Sequence, residues 1–175
     1  MRVSHEAPIQ YMKQIRGLID YDYCLPHLLD ENKEYKKYFQ QSKESRRYII
    51  MDNSLHELGT PYNEERLWYW LNFFKPDEFI VPDFWEDKTK TLVSAKKWLS
   101  YKYPKNTTPV AVVQAKNKQE AFSCYHILKI QGYEKIAFSY GADYYYDEGL
   151  STTPNKDNKF ITKAHGRYNV IKELT

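Results

Sequence analysis

Two aspartates and a glutamine, Asp52, Asp83 and Gln114, each follow directly on a short apolar run, and a further run ends in Ser139, Tyr140 and Gly141. A carboxylate accepts hydrogen bonds from ring N–H and amino groups, and a primary amide donates to a carbonyl oxygen. Together these groups can read the edge of a planar heterocycle, and a guanine-like edge fits the pattern. A carboxyl also acts as general acid or base when burial or a second carboxylate raises its pKa. Glycosidic chemistry uses such pairs, one carboxyl protonating the leaving group and another attacking the sugar.

The elements that must position these groups follow from the apolar pattern. Runs at Tyr21–Leu25, Tyr48–Met51, Glu78–Pro82, Val110–Val113 and Lys135–Ser139 read as buried strands. Helical spacing occupies Glu31–Glu44, Asn63–Phe74, Asp87–Tyr101 and Asn117–Gln131, and a last helix covers Ile161–Leu174. Strand and helix alternate in units of about 30 residues, which predicts an α/β fold of parallel (β/α) repeats with strands buried on both faces. That leaves a barrel or an open doubly wound sheet. No Gly-rich loop follows the first run, which removes support from the dinucleotide-binding open sheet. The polar, aromatic stretch Gly141–Asn158 is expected to be a long loop.

In parallel α/β folds the carboxyl ends of the strands share one side, so Asp52, Asp83, Gln114, Ser139 and Gly141 are expected to converge on one pocket. The competing structural account is that strand ends are polar simply because loops begin there. Successive delivery of Asp, Asp, Gln and a Ser/Gly turn favours the functional account.

The chain has 175 residues, 42% hydrophobic and 28% charged, and predicts one soluble domain or the N-terminal part of one. No apolar run has membrane-spanning length and Met1 to Gly17 lacks the apolar block of a signal peptide, so a cytoplasmic protein without membrane association is expected. Cys24 and Cys124 lie far apart, outside any C-x-x-C pair; neither a zinc site nor a disulfide framework is predicted, and both read as reduced interior residues. A net charge of +3 permits nucleic-acid contact without arguing for it, and the 17 tyrosines fit packing better than base stacking.

The stretches "IIMDNS", "EFIVPDFWED", "VAVVQAKNKQEAF" and "KIAFSYG", in this order at successive strand ends, resemble the tRNA-guanine transglycosylase superfamily. The resemblance runs from about Ser4 to Gly141 and is nearest to the phage-type DNA 7-deazaguanine transglycosylases. It implies a (β/α) barrel, here with about five βα units, that exchanges guanine for a 7-deazaguanine base in a polynucleotide, DNA favoured over tRNA, without a cofactor. It makes Asp52 the acid/base and base-contact residue, with Asn53 beside it where the family has Asp-Ser-Gly. Asp83 and Gln114 would read the purine edge, with Ala115 in place of the glycine of Val-Gln-Gly, and Ser139 and Gly141 would fall near the base-binding turn. The family's nucleophilic aspartate on a later strand and the zinc site of its tRNA members have no match. Five strands do not close an eight-stranded barrel, so a fragment, a split subunit or a shortened relative is expected, completed by a partner subunit or a second copy. In a phage this would place the protein in the host cytoplasm. Two alternatives stand beside this reading: an inactive 7-deazaguanine- or nucleic-acid-binding module, and an unrelated βα enzyme acting on a small sugar.

Other residues divide between structural and functional readings. His5, Glu6 and His27 are expected to be structural, and His56 and Glu57 to line the loop after Asp52. Trp68, Trp70 and Trp98 sit at helical spacing and read as core. Trp85 either stacks on a base or caps the barrel. Tyr144, Tyr145 and Tyr146 are expected in a solvated loop, where Lys156, Lys159, Lys163 and Arg167 would be placed to help hold nucleic acid.

Overall fold

The computed structural model describes residues 3–4, 7–153 and 157–174; His5, Glu6 and Lys156 lie outside the described residues. Five strands form: β1 Asp22–Cys24, β2 Ile49–Met51, β3 Glu78–Ile80, β4 Thr108–Val113 and β5 Lys135–Phe138. They make one parallel sheet in the order β1-β2-β3-β4-β5, interleaved with helices. The α-helices are α1 Met12–Ile15, α2 Pro26–Glu31, α3 Lys33–Glu44, α4 Leu55–Leu58, α5 Glu64–Phe74, α6 Lys88–Leu99, α7 Lys118–Gln131, α8 Tyr144–Gly149 and α9 Lys159–Leu174. The α/β class and all five predicted strands are therefore present. Among the described residues no helix is long and apolar enough to cross a membrane.

The helix starts are written in asparagines. The Asn32 side chain accepts from Glu34 N and Tyr35 N, Asn63 from Arg66 N, and Asn117 from Glu120 N, each satisfying a backbone donor that the first turn leaves unpaired. Gly132, at φ 106°, ends α7 in the left-handed region where a side chain would be strained.

The chain forms two compact units, one of Met1–Pro82 with Lys97–Val110 and one of Asp83–Lys96 with Ala111–Thr175. In the first, register sets Cys24 opposite Met51, and Met51 opposite Phe79, and all three are fully buried. The adjacent row, Tyr23, Ile50, Glu78 and Thr108, points to the other face and is only half-buried. The expected burial of both faces thus fails here, because the second face carries polar groups such as Glu78, which accepts from the Tyr48 hydroxyl. Leu67, Trp70, Leu71 and Phe74 of α5 are all buried, as their spacing predicts. Asp22, 1% exposed, accepts from the Tyr38 hydroxyl at 3.0 Å and from Arg47 Nε at 2.9 Å.

In the second unit α7 buries Ala121, Cys124 and Leu128. Cys24 and Cys124 are both free and buried. The predicted long loop Gly141–Asn158 is a correction: it contains α8, with Tyr144 and Tyr145 buried and only Tyr146 left at intermediate exposure. Two glycines explain it. A Cβ on Gly149 would fall 1.9 Å from Thr162 O, and one on Gly166 would fall 1.8 Å from Tyr145 O, so α8 and α9 touch backbone to backbone. That close contact draws the tyrosines out of solvent.

Candidate functional site

Each unit carries part of the predicted set. In the first, Asp52 follows the last residue of β2, on the half-open face. Its Oδ1 accepts from the Tyr23 hydroxyl at 3.0 Å, and its Oδ2 accepts from Ser54 N at 3.1 Å. Ser54 sits at φ 57°, in the left-handed region that glycine occupies without strain. That turn presents the Ser54 hydroxyl to His27 Nδ1 at 2.8 Å, so Tyr23, Asp52, Ser54 and His27 form one network at the ends of β1 and β2.

Burial is the dominant influence on Asp52, raising its pKa above the ordinary carboxylate value against the lowering effect of Tyr23 and the backbone N–H groups; Glu57 adds to the rise. A carboxyl so placed holds a proton more readily than an exposed one, as a general acid requires. Asn53 is buried and both ends of its amide are used structurally: Nδ2 donates to Val81 O at 3.0 Å and Oδ1 accepts from Leu55 N at 3.0 Å. It ties the end of β2 to the residue after β3.

In the second unit Asp83 and Gln114 meet. Asp83 is 4% exposed and accepts from Gln114 Nε2 at 2.6 Å, while Gln114 Oε1 accepts from Glu86 N at 3.0 Å. Glu86 reaches that position through a left-handed backbone, φ 49°. The loop is fastened on its other side by Thr91, whose Oγ1 accepts from Phe84 N at 3.0 Å. Trp85, 44% exposed, lies over Gly141: a Cβ there would stand 3.1 Å from the indole Cη2. The Gly141 turn is held by Lys163, which donates to Gly141 O at 2.8 Å and to Asp143 Oδ1 at 2.7 Å. Lys163 accordingly keeps the Asp143 carboxyl below its ordinary pKa. Ser139 is buried after β5.

Asp83, Gln114, Trp85 and Gly141 therefore belong to one constellation, and Asp52 to the network with Tyr23 and His27. Sequence reasoning passed over Tyr23 and Glu86 as site residues, and read Lys163 as an aid to nucleic-acid binding rather than as the group that holds the Gly141 turn. Tyr23 was legible in principle, since residues two apart on a strand share a face and its register partner Ile50 is two before Asp52. Glu86 and Lys163 had no comparable signal, because each depends on a turn or a long-range contact. Among the described residues, no group of three or more His, Cys, Asp or Glu side chains is arranged to hold a metal ion. Trp70 and Trp98 are buried as expected, whereas Trp68 is half-buried.

Compared with known proteins, the chain matches no family model and no curated protein sequence.

Proposed function

We propose that this chain recognises a guanine-type base and takes part in exchanging it for a 7-deazaguanine at a glycosidic bond of a polynucleotide, DNA in preference to tRNA. The observation that carries the reading is the buried Asp83–Gln114 pair, a carboxylate and an amide 2.6 Å apart at the ends of successive strands. Such a pair combines an acceptor for ring N–H and amino groups with an amide able to serve a carbonyl oxygen, which is the hydrogen-bonding pattern of a purine edge.

Three further points support it. The strand order runs β1 to β5 without reversal, in keeping with a (β/α) barrel, whereas a doubly wound sheet reverses at its switch point. The third residue of Asp52-Asn53-Ser54 adopts a glycine-like conformation, in keeping with the Asp-Ser-Gly motif it resembles. Burial raises the Asp52 pKa, in keeping with proton transfer to a leaving base. The proposal assigns Asp52 the acid/base role and Asp83 and Gln114 the base contacts. Attack on the sugar C1′ falls to a carboxylate outside the matched motifs, supplied by further chain or by a partner subunit.

A second reading has its own observation. Both Asp52 oxygens already accept hydrogen bonds, from Tyr23 and Ser54, an arrangement that also suits a rigid, inactive base-binding module. One experiment separates the two: incubation of the chain, alone and with candidate partner subunits, with guanine-containing DNA or tRNA and labelled 7-deazaguanine. Exchange should occur and fall by about 10²-fold or more in Asp52→Asn, the scale of a lost general acid. Binding of the base without incorporation under every condition selects the module. Failure to bind any purine base rejects both.

A further inference from the structure

A cleft in the first unit, apart from the groups just described, has the chemistry of a cation site. It is lined by Glu64, Glu65, Trp68, Trp98 and Tyr101 and is a solvent-open depression of about 330 Å³, at the small end of ligand pockets. Trp68 and Tyr101 form its walls at 60° to each other, over the buried Trp98, which packs against them at 55° and 76° respectively. Their centroids lie 5.2–6.2 Å apart. Phe79 and Tyr103 brace them, with centroids 5.7 Å from Trp98 and 5.9 Å from Trp68 respectively. The walls are therefore stiff.

Ring faces carry partial negative charge and attract cations. Helical spacing sets Glu64 and Glu65 one turn before Trp68 on α5, beside its ring. Glu64 is already neutralised by Lys97 at 2.5 Å, whose ammonium also reaches the Tyr101 side chain, while Glu65 forms no ion pair among the described residues. One uncompensated carboxylate beside the accessible rings of Trp68 and Tyr101 fits a monocation with an apolar surface. An inorganic cation, compact and strongly hydrated, gains less from such walls.

We propose that this cleft binds a small organic ammonium ion, quaternary or alkylated, with its charged head against Trp68 and Tyr101 and its charge balanced by Glu65. The site is independent of base recognition, since none of its residues belongs to the Asp52 or Asp83–Gln114 groups.

The test is a titration of the whole chain with choline, followed through the indole N–H signals in NMR at constant ionic strength, with Trp68→Phe used to assign the Trp68 signal. A control titration uses 3,3-dimethylbutan-1-ol, which has the same shape without the charge. The expected result is a saturable shift of the Trp68 signal with Kd of about 1–10 mM. Glu65→Gln, a surface change that leaves the fold intact, should weaken binding about fivefold, and the neutral alcohol should bind at least about tenfold more weakly. No saturation by choline, equal binding of the alcohol, or unchanged affinity in Glu65→Gln would each overturn the proposal.

Discussion

Asp52 makes the clearest case for chemistry at the scale of the single residue. Two hydrogen bonds would ordinarily favour its charged form, yet burial outweighs them and raises its pKa. The folded chain therefore binds that proton more tightly than the unfolded chain does. Its contribution to stability is complete below the unfolded carboxylate value of about 4 and is lost as pH rises through the folded value. Asp52→Asn removes that loss; its one oxygen can still accept from Ser54 N, while its NH2 can donate to the Tyr23 hydroxyl with that bond reversed. The variant should gain on the wild type in urea midpoint at pH 8 and lose that advantage toward pH 4. An advantage that is constant with pH, or larger at pH 4, would exclude the assignment. Gln114 is the complementary case. Gln114→Leu removes a donor from the buried Asp83 carboxylate and the acceptor of Glu86 N, and should cost about 2–4 kcal/mol in urea unfolding at neutral pH.

At the scale of the element, the instructive pair is α8 and α9. Their contact depends on Gly149 and Gly166, where an added methyl would overlap a carbonyl oxygen of the facing helix. Backbone cannot yield as a flexible side chain does. Gly149→Ala and Gly166→Ala should each lower stability by about 2–4 kcal/mol by thermal or urea unfolding. The double variant should cost less than the sum, since the first substitution already parts the helices. Additive losses would mean that the two glycines act independently. The asparagine caps of α3, α5 and α7 are the opposite kind of determinant, because each acts within two or three residues of itself.

At the scale of the whole molecule, charge sets the terms on which a polynucleotide could be held. Lysine and arginine number 26 against 23 acids, a net of +3. Several cations are already paired, among them Arg47 with Asp22, Lys118 with Glu148 and Lys163 with Asp143. The small net excess of positive charge limits how many counterions the chain can displace from phosphates. Binding to single- or double-stranded DNA between about 50 and 200 mM salt should therefore give a log–log slope no steeper than about −3. Fluorescence anisotropy measures it. A steeper slope would show that backbone contacts, rather than base recognition, dominate the affinity.

The parts of this protein that were legible in its sequence are those governed by near neighbours along the chain. The apolar runs specified five strands, and helical spacing with a polar cap specified α3, α5, α6, α7 and α9, to within a few residues. The strand-end positions of Asp52, Asp83 and Gln114 followed directly, since a residue after a strand stays there however the strand packs. Tertiary structure alone decided the rest. Tyr144 and Tyr145 read as loop because their partner surface, around Gly166, lies some twenty residues away, beyond any local periodicity. The half-open face of the first unit, the left-handed turns at Ser54 and Glu86, and the grip of Lys163 on Gly141 likewise depend on groups that the chain brings close only after it folds. Local backbone preference is short-ranged, and it settles which elements form; burial and hydrogen bonding between distant segments settle which side chains meet and how their protons are held.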